Sequence, residues 1–291
     1  MTQAFEYYRP KTRAEAIDLL SRPNFNAIPL LVHPRPDLPG EMGADAFVDL
    51  SWLGLDYVRE SADGYVHIGA ATDLQTIMTN PVLKSHTRNL FNEAIRQVAP
   101  ERIRNMSSLW GAIQPSHKGS PELLLVMLVL DAKLLLQGSG DKQRTISFPV
   151  FQGTKNEALQ KGELMMEASF MGLPESGWGW ALERVARTPS DAAIVAALAV
   201  IETRGESISQ IRLALAGATP LPGRVETLER SLQDQPMDTE RINLAARLAA
   251  GAYKPVADFK GSADYRCAMA EVVINRAILK AWEKAKNSLG S

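Results

Sequence analysis

Eight consecutive residues, Leu123 to Leu130, carry no polar side chain. A helix apolar on every face has no stripe to turn toward water and must be covered all round. It falls far short of the roughly 20 residues needed to span a bilayer, as does a second run, Ala192 to Ile201. Both therefore predict interior elements of a layered protein. The first sits in "SPELLLVMLVLDA", a buried helix with Ser120 as its cap. It is followed at once by "KLLLQGSGDKQRTISF", which reads as a hairpin around Gly138 to Asp141, and then by "GELMMEASF", another strand. Helices and strands interleave, as in an α/β or α+β layer protein.

The rest of the N-terminal half extends that pattern. "KTRAEAIDLL" has helical spacing, with Thr12 as N-cap and Glu15 as its capping-box partner. "AIPLLV" and "AFVDLS" read as buried strands, giving a β-α-β start, and "YVRESADGYVHIG" as a hairpin about Ala62-Asp63-Gly64. "TDLQTIMTNP" predicts a helix capped by Thr72 and stopped before Pro81, and "LFNEAIRQVAP" a second ended by Pro100. Turn residues then cluster in "GLPESGWGW", Gly172 to Trp180, with no helix cap following, which marks a domain boundary. Beyond it "WALERVAR", "AAIVAALAVIE" and "SISQIRLALAGA" read as strands, with Arg204-Gly205 as a turn. Three helices close the chain: "RVETLERSLQ", "DTERINLAARLAAGA" and "SADYRCAMAEVVINRAILKAWEKAK". A small antiparallel sheet covered by helices is the economical reading, and 291 residues suit two domains.

Chemistry-bearing residues exclude more than they suggest. Thirty-two basic against thirty-three acidic residues give a net charge of -1, so no overall field recommends nucleic acid or an anionic membrane. Cys267 is the only cysteine, which excludes an internal disulfide or a cluster ligated by this chain alone and suits a reducing, cytoplasmic setting. It lies on the periodic last helix, where a packed thiol is expected. The N-terminus has charges and a proline where a signal peptide needs an apolar segment. His33, His67, His86 and His117 are scattered along the chain, so no metal site is expected and they read as surface or hydrogen-bonded residues. No G-x-S-x-G, Walker loop or G-x-G-x-x-G occurs, and no catalytic residue is assigned.

Several stretches, taken in order, are similar to a known family: "FEYYRPKTRAEAIDLL", "FVDLSWLGLDYV", "VHIGAATDLQTI", "QVAPERIRNMSSLWGAI", "SPELLLVMLVLDAKLLL", "FQGTKNEALQKGELM", "RLALAGATPLPGRVETLE" and "GSADYRCAMAEVVINRAI". They resemble the FAD-binding medium subunit of xanthine dehydrogenase and carbon monoxide dehydrogenase type molybdenum hydroxylases, over roughly Phe5 to Ala285. The resemblance implies an α+β protein. It would have a two-lobed FAD-binding fold of the vanillyl-alcohol-oxidase/PCMH type over 1–174, with lobes of about 1–57 and 58–174. A C-terminal domain of small antiparallel sheet plus helices would span 177–286. It also implies partners, a molybdopterin-binding large subunit and a 2Fe–2S small subunit, with electrons passing through FAD to an acceptor.

That family holds its flavin on two glycine loops, where converging backbone N–H groups grip the pyrophosphate. The candidate residues here are Leu31, Val32, His33, Pro34 and Arg35 at the first loop, and Ser107, Ser108, Leu109, Trp110, Gly111 and Ala112 at the second. Val32 and His33 match the paired glycines and Pro34 the hydroxyl residue. A β-branched residue at positive φ is strongly disfavoured, and prolines donate nothing. At the second loop Ile103, Arg104 and Asn105 are kept, but Ser107, Trp110 and Ala112 fall on the first glycine, the middle glycine and the asparagine. Gly111 survives, and Ser108 stands in for threonine. The expectation is a medium-subunit relative that has lost the usual FAD binding and keeps a structural, docking or assembly role, with no cofactor. The alternative is an FAD-dependent electron-transfer subunit with an altered phosphate grip, in which His33 and Arg35 supply positive charge. A third is a smaller ligand with Trp110 as its wall.

Overall fold

The computed structural model describes residues 6–31, 43–113, 121–153, 159–188, 191–219 and 221–289. The β-α-β start is present as β1 (Glu6–Tyr8), α1 (Arg13–Ser21), β2 (Ala27–Leu30) and β3 (Ala46–Asp49), with the strands parallel in the order β1-β3-β2. Thr12 Oγ1 accepts the Glu15 N–H at 3.2 Å, as a cap should, while the Glu15 carboxylate takes the N–H of Lys11 at 2.8 Å rather than that of Thr12. The hairpin follows as β4 (Val58–Glu60) and β5 (Tyr65–Gly69).

Next come short helices: α2 (Leu74–Thr79), α3 (Pro81–His86), α4 (Leu90–Val98), α5 (Glu101–Asn105), α6 (Leu109–Ile113) and α7 (Pro121–Val129). The expected cap on α2 is corrected from Thr72 to Asp73, whose Oδ1 accepts the Thr76 N–H at 2.7 Å. The Thr72 hydroxyl is spent elsewhere, bonding both the N–H and the C=O of Tyr57 at 3.0 Å. Pro81 ends one helix and opens the next, at a position where its missing N–H costs nothing. The cap expected at Ser120 lies outside the described residues. β6 (Lys133–Gln137), β7 (Gln143–Ser147), α8 (Phe148–Gly153) and β8 (Leu164–Met171) complete a second sheet, antiparallel throughout, in the order β4-β5-β8-β6-β7.

The C-terminal stretch holds β9 (Trp178–Val185), β10 (Val195–Arg204), β11 (Ser207–Ala216), β12 (Gly223–Arg224), α9 (Glu226–Leu232), β13 (Gln235–Pro236), α10 (Thr239–Gly251) and α11 (Ala263–Asn287). Its antiparallel sheet runs β12-β11-β10-β9, with β13 also on β11. Val195, Ala197, Ala199 and Ile201 of β10 form one core with Val273, Ile274, Ala277 and Ile278 of α11. The intervening Ala196, Leu198 and Val200 are just as buried and, by strand alternation, face the other side. There α7 packs on β10 and β11, and all eight of its residues from Glu122 to Val129 are buried.

The chain is an α+β protein of two compact units, each assembled from separated segments. The first comprises residues 1–85, 99–119 and 132–171, and the second 86–98, 120–131 and 172–291. By packing, α4 and α7 go with the C-terminal sheet, whereas a single cut near residue 174 would leave them with the N-terminal lobes. An all-apolar helix needs cover on every side, and the sheet supplies one of those sides. Among the described residues no helix is long and apolar enough to cross a membrane.

Candidate functional site

The second candidate loop is tied to the end of β5. Ser107 O accepts from Leu74 N at 2.9 Å, and Leu109 N donates to Thr72 O at 2.9 Å, which makes Asp73 and Ser108 an isolated bridge pair. Trp110 N donates to Ala70 O at 3.1 Å, Ala112 N to Ser108 O at 3.0 Å, Gly111 N to Ser108 Oγ at 3.1 Å and Ser107 N to Arg104 O at 3.4 Å. The N–H groups of Ser107, Leu109, Trp110, Gly111 and Ala112 are thus all directed to acceptors within the protein. The retained Arg104 braces the turn from behind, its Nε on Gln75 Oε1 at 2.8 Å and its Nη1 on Ala99 O at 2.7 Å.

Side chains here turn inward. Ser108 is 1 % exposed and Trp110 8 %. The indole meets the Phe151 ring at 5.9 Å between centroids and 53°, and Phe151 stacks in turn on Phe148 at 6.1 Å. Gln152 Nε2 fastens α8 to this wall through Ile113 O at 3.1 Å. At the first candidate loop Leu31 packs against the core cluster to which Ile17 and Leu20 of α1, Leu50, Leu55 and Met166 belong. Val32, His33, Pro34 and Arg35 lie outside the described residues.

A polar centre that single-sequence reading did not find lies on the face of the second sheet. Glu167, 5 % exposed, accepts from Tyr57 OH at 2.6 Å, Arg59 Nη2 at 3.0 Å and His67 Nδ1 at 2.7 Å. Burial alone would raise its pKa, but the bonds from Tyr57, His67 and Arg59 outweigh that and hold it below the ordinary carboxylate value. Burial and the same bond push the Tyr57 phenol up to about 12, so it stays a donor. Tyr57, Arg59 and Glu167 border a cavity of about 440 Å³ with Arg13, Leu135, Gln143 and Met166. His67 Nε2 also lies 3.2 Å from Ser61 Oγ, so Ser61, His67 and Glu167 stand in the order of a nucleophilic triad. The Ser61 hydroxyl is shared with Asp63 and Tyr65 O, and the N–H groups beside it, of Ser61 and Gly64, close the hairpin turn. With its hydroxyl spent in the hairpin turn, the row reads as a brace of the sheet. Among the described residues no group of three or more metal-ligating side chains occurs, and Cys267, half-buried on α11, contacts Tyr253 O at 3.9 Å.

Comparison with known proteins extends over the whole chain. It is 29% identical to the carbon monoxide dehydrogenase medium chain of Hydrogenophaga pseudoflava, over 96% of this chain and 98% of that one. The glyceraldehyde dehydrogenase medium chain of Sulfolobus acidocaldarius is 27% identical, with coverage of 94% and 96%. Among solved structures, carbon monoxide dehydrogenase from Hydrogenophaga pseudoflava lacking the Mo-pyranopterin moiety superposes with a TM-score of 0.86 at 27% identity, over 98% of this chain and 99% of that one. A family model for the CO dehydrogenase flavoprotein C-terminal domain matches residues 180–281. With residues 3–170 matching the model for the FAD binding domain in molybdopterin dehydrogenase, the chain belongs to that family.

Proposed function

We propose that the chain is a medium subunit of a molybdenum-hydroxylase-type complex whose flavin grip has been filled in, leaving it a docking or assembly role beside its partners. Trp110 carries this reading: a buried indole stands in the position that the family gives its middle glycine, packed on Phe151. A pyrophosphate held by backbone donors needs those donors unspent and the chain open to close approach. The five N–H groups named above are already bonded within the protein. The partners are a molybdopterin-binding large subunit and a 2Fe–2S small subunit, in a cytoplasmic setting that suits the lone Cys267. The absorption spectrum of the purified protein, with and without added FAD, tests the reading: no bound flavin band is expected, and stoichiometric FAD overturns it. Co-purification from the native host is expected to recover both partner subunits.

The match to an FAD-binding family model favours a second reading, a working flavin subunit with an altered grip. There Arg35 would supply a bidentate fork and His33 a further donor to the pyrophosphate. Arg35→Ala then abolishes flavin binding that the unaltered protein shows, and unchanged affinity removes this reading.

A further inference from the structure

Where β9 begins and α11 ends, the second unit opens a cavity of about 610 Å³ whose lining includes Arg88, Asn89, Arg96, Trp180, Lys284 and Asn287. Its wall is fixed by unusual backbone. Arg88 and Asn89 both take left-handed conformations, with φ of +51° and +65°, which a non-glycine residue holds only where its surroundings enforce it. The enforcement is reciprocal, for the Arg88 guanidinium donates to Trp178 O while Trp180 Nε1 donates to Arg88 O at 3.0 Å. Gly179 lets α11 lie directly on β9, since a Cβ there would stand 2.2 Å from Ala281 O.

The charge is unbalanced. Three cations, Arg88, Arg96 and Lys284, line the cavity with one carboxylate, Glu93. Glu93 is engaged by Arg96 and by Gln97 Nε2, the latter at 3.0 Å. Among the described residues neither Arg88 nor Lys284 has an ion-pair partner. The Lys284 ammonium instead sits 4.2 Å from the centre of the Trp180 ring, which also lines the cavity. A surplus of two positive charges, with a guanidinium and an ammonium free of carboxylates, matches a dianion with tetrahedral oxygens. The volume is that of a small-molecule site and exceeds what a bare anion fills, and the indole offers a surface for an organic body.

We propose that this cavity binds a small phosphate monoester, with its dianionic head among Lys284, Arg88 and Arg96 and its organic body against Trp180. All the lining residues belong to the second unit, so the site stands whether or not flavin binds the first. Calorimetric titration of the full chain with phenyl phosphate and with inorganic phosphate tests it. Saturable one-site binding is expected, tighter for phenyl phosphate. Lys284→Gln is expected to weaken it about tenfold, the loss of one charge-assisted hydrogen bond. Lys280→Gln, on the same helix but paired with Glu183 at 2.6 Å and outside the cavity, leaves it unchanged. Absence of saturation at millimolar ligand, equal affinity for the two probes, or equal weakening by the two substitutions overturns the assignment.

Discussion

Replacing Glu167 with glutamine removes one charge and one acceptor oxygen from a carboxylate that is 5 % exposed and receives three donors. The Arg59 side chain is 61% exposed, so its bond is largely screened and its loss counts for little. Tyr57 and His67 are the donors that matter. Each bond weakens when its acceptor becomes neutral, and the new amide NH2 must face one of them, leaving a buried donor poorly satisfied. Together these effects come to about 3 kcal/mol at neutral pH. Because the folded-state pKa of Glu167 lies below its ordinary 4.5, the carboxylate stabilises the fold fully above that value. The contribution is lost as pH falls through the folded pKa. Glutamine does not titrate, so the gap between the two proteins is expected to be full at neutral pH and to close in acid once the pH has fallen through the lowered folded-state pKa of Glu167. Urea titrations of both proteins at neutral and acid pH read this as a difference in midpoint at constant slope. A gap under about 0.5 kcal/mol at neutral pH, or one that persists in acid, refutes the account of Glu167 as the sheet's charged brace.

Gly179→Ala places a Cβ 2.2 Å from Ala281 O and 2.3 Å from Ala285 N, both backbone atoms of α11, and is expected to cost at least about 3 kcal/mol. Denaturation read by circular dichroism checks it, and a neutral outcome would mean that α11 does not lie on β9 this closely. Trp110→Ala empties a packed aromatic site and is expected to destabilise the first unit by about 3–5 kcal/mol. A loss below about 1 kcal/mol in the same assay would show that the indole is not held between α6 and α8.

The order of helices and strands was legible because hydrophobic spacing is a local property. Thr12 capped α1 as its sequence position suggested, and the β10–β11 hairpin turns at Gly205-Glu206, one residue past the expected Arg204-Gly205, because Arg204 still pairs with Ser207. Capping failed at α2, where Thr72 and Asp73 are adjacent candidates and the distant Tyr57 decides between them. At the second candidate loop the motif frame located Trp110, but only packing shows the indole against Phe151. The Glu167 centre left no local trace. His67 and Glu167 stand 100 residues apart and meet through the pairing of β5 with β8, which no spacing rule encodes. The cavity at Trp180 is assembled the same way, from the start of α4, the start of β9 and the end of α11.

The burial of α7 on the sheet of the second unit bears on how the protein is made. During synthesis its apolar residues from Leu123 to Val129 leave the ribosome well before β10 and β11, the strands on which the helix packs. Until those strands arrive, the segment is a sticky nascent surface of the kind that recruits chaperones or aggregates. A fragment ending near residue 174, at the apparent domain boundary, would keep that exposure permanently.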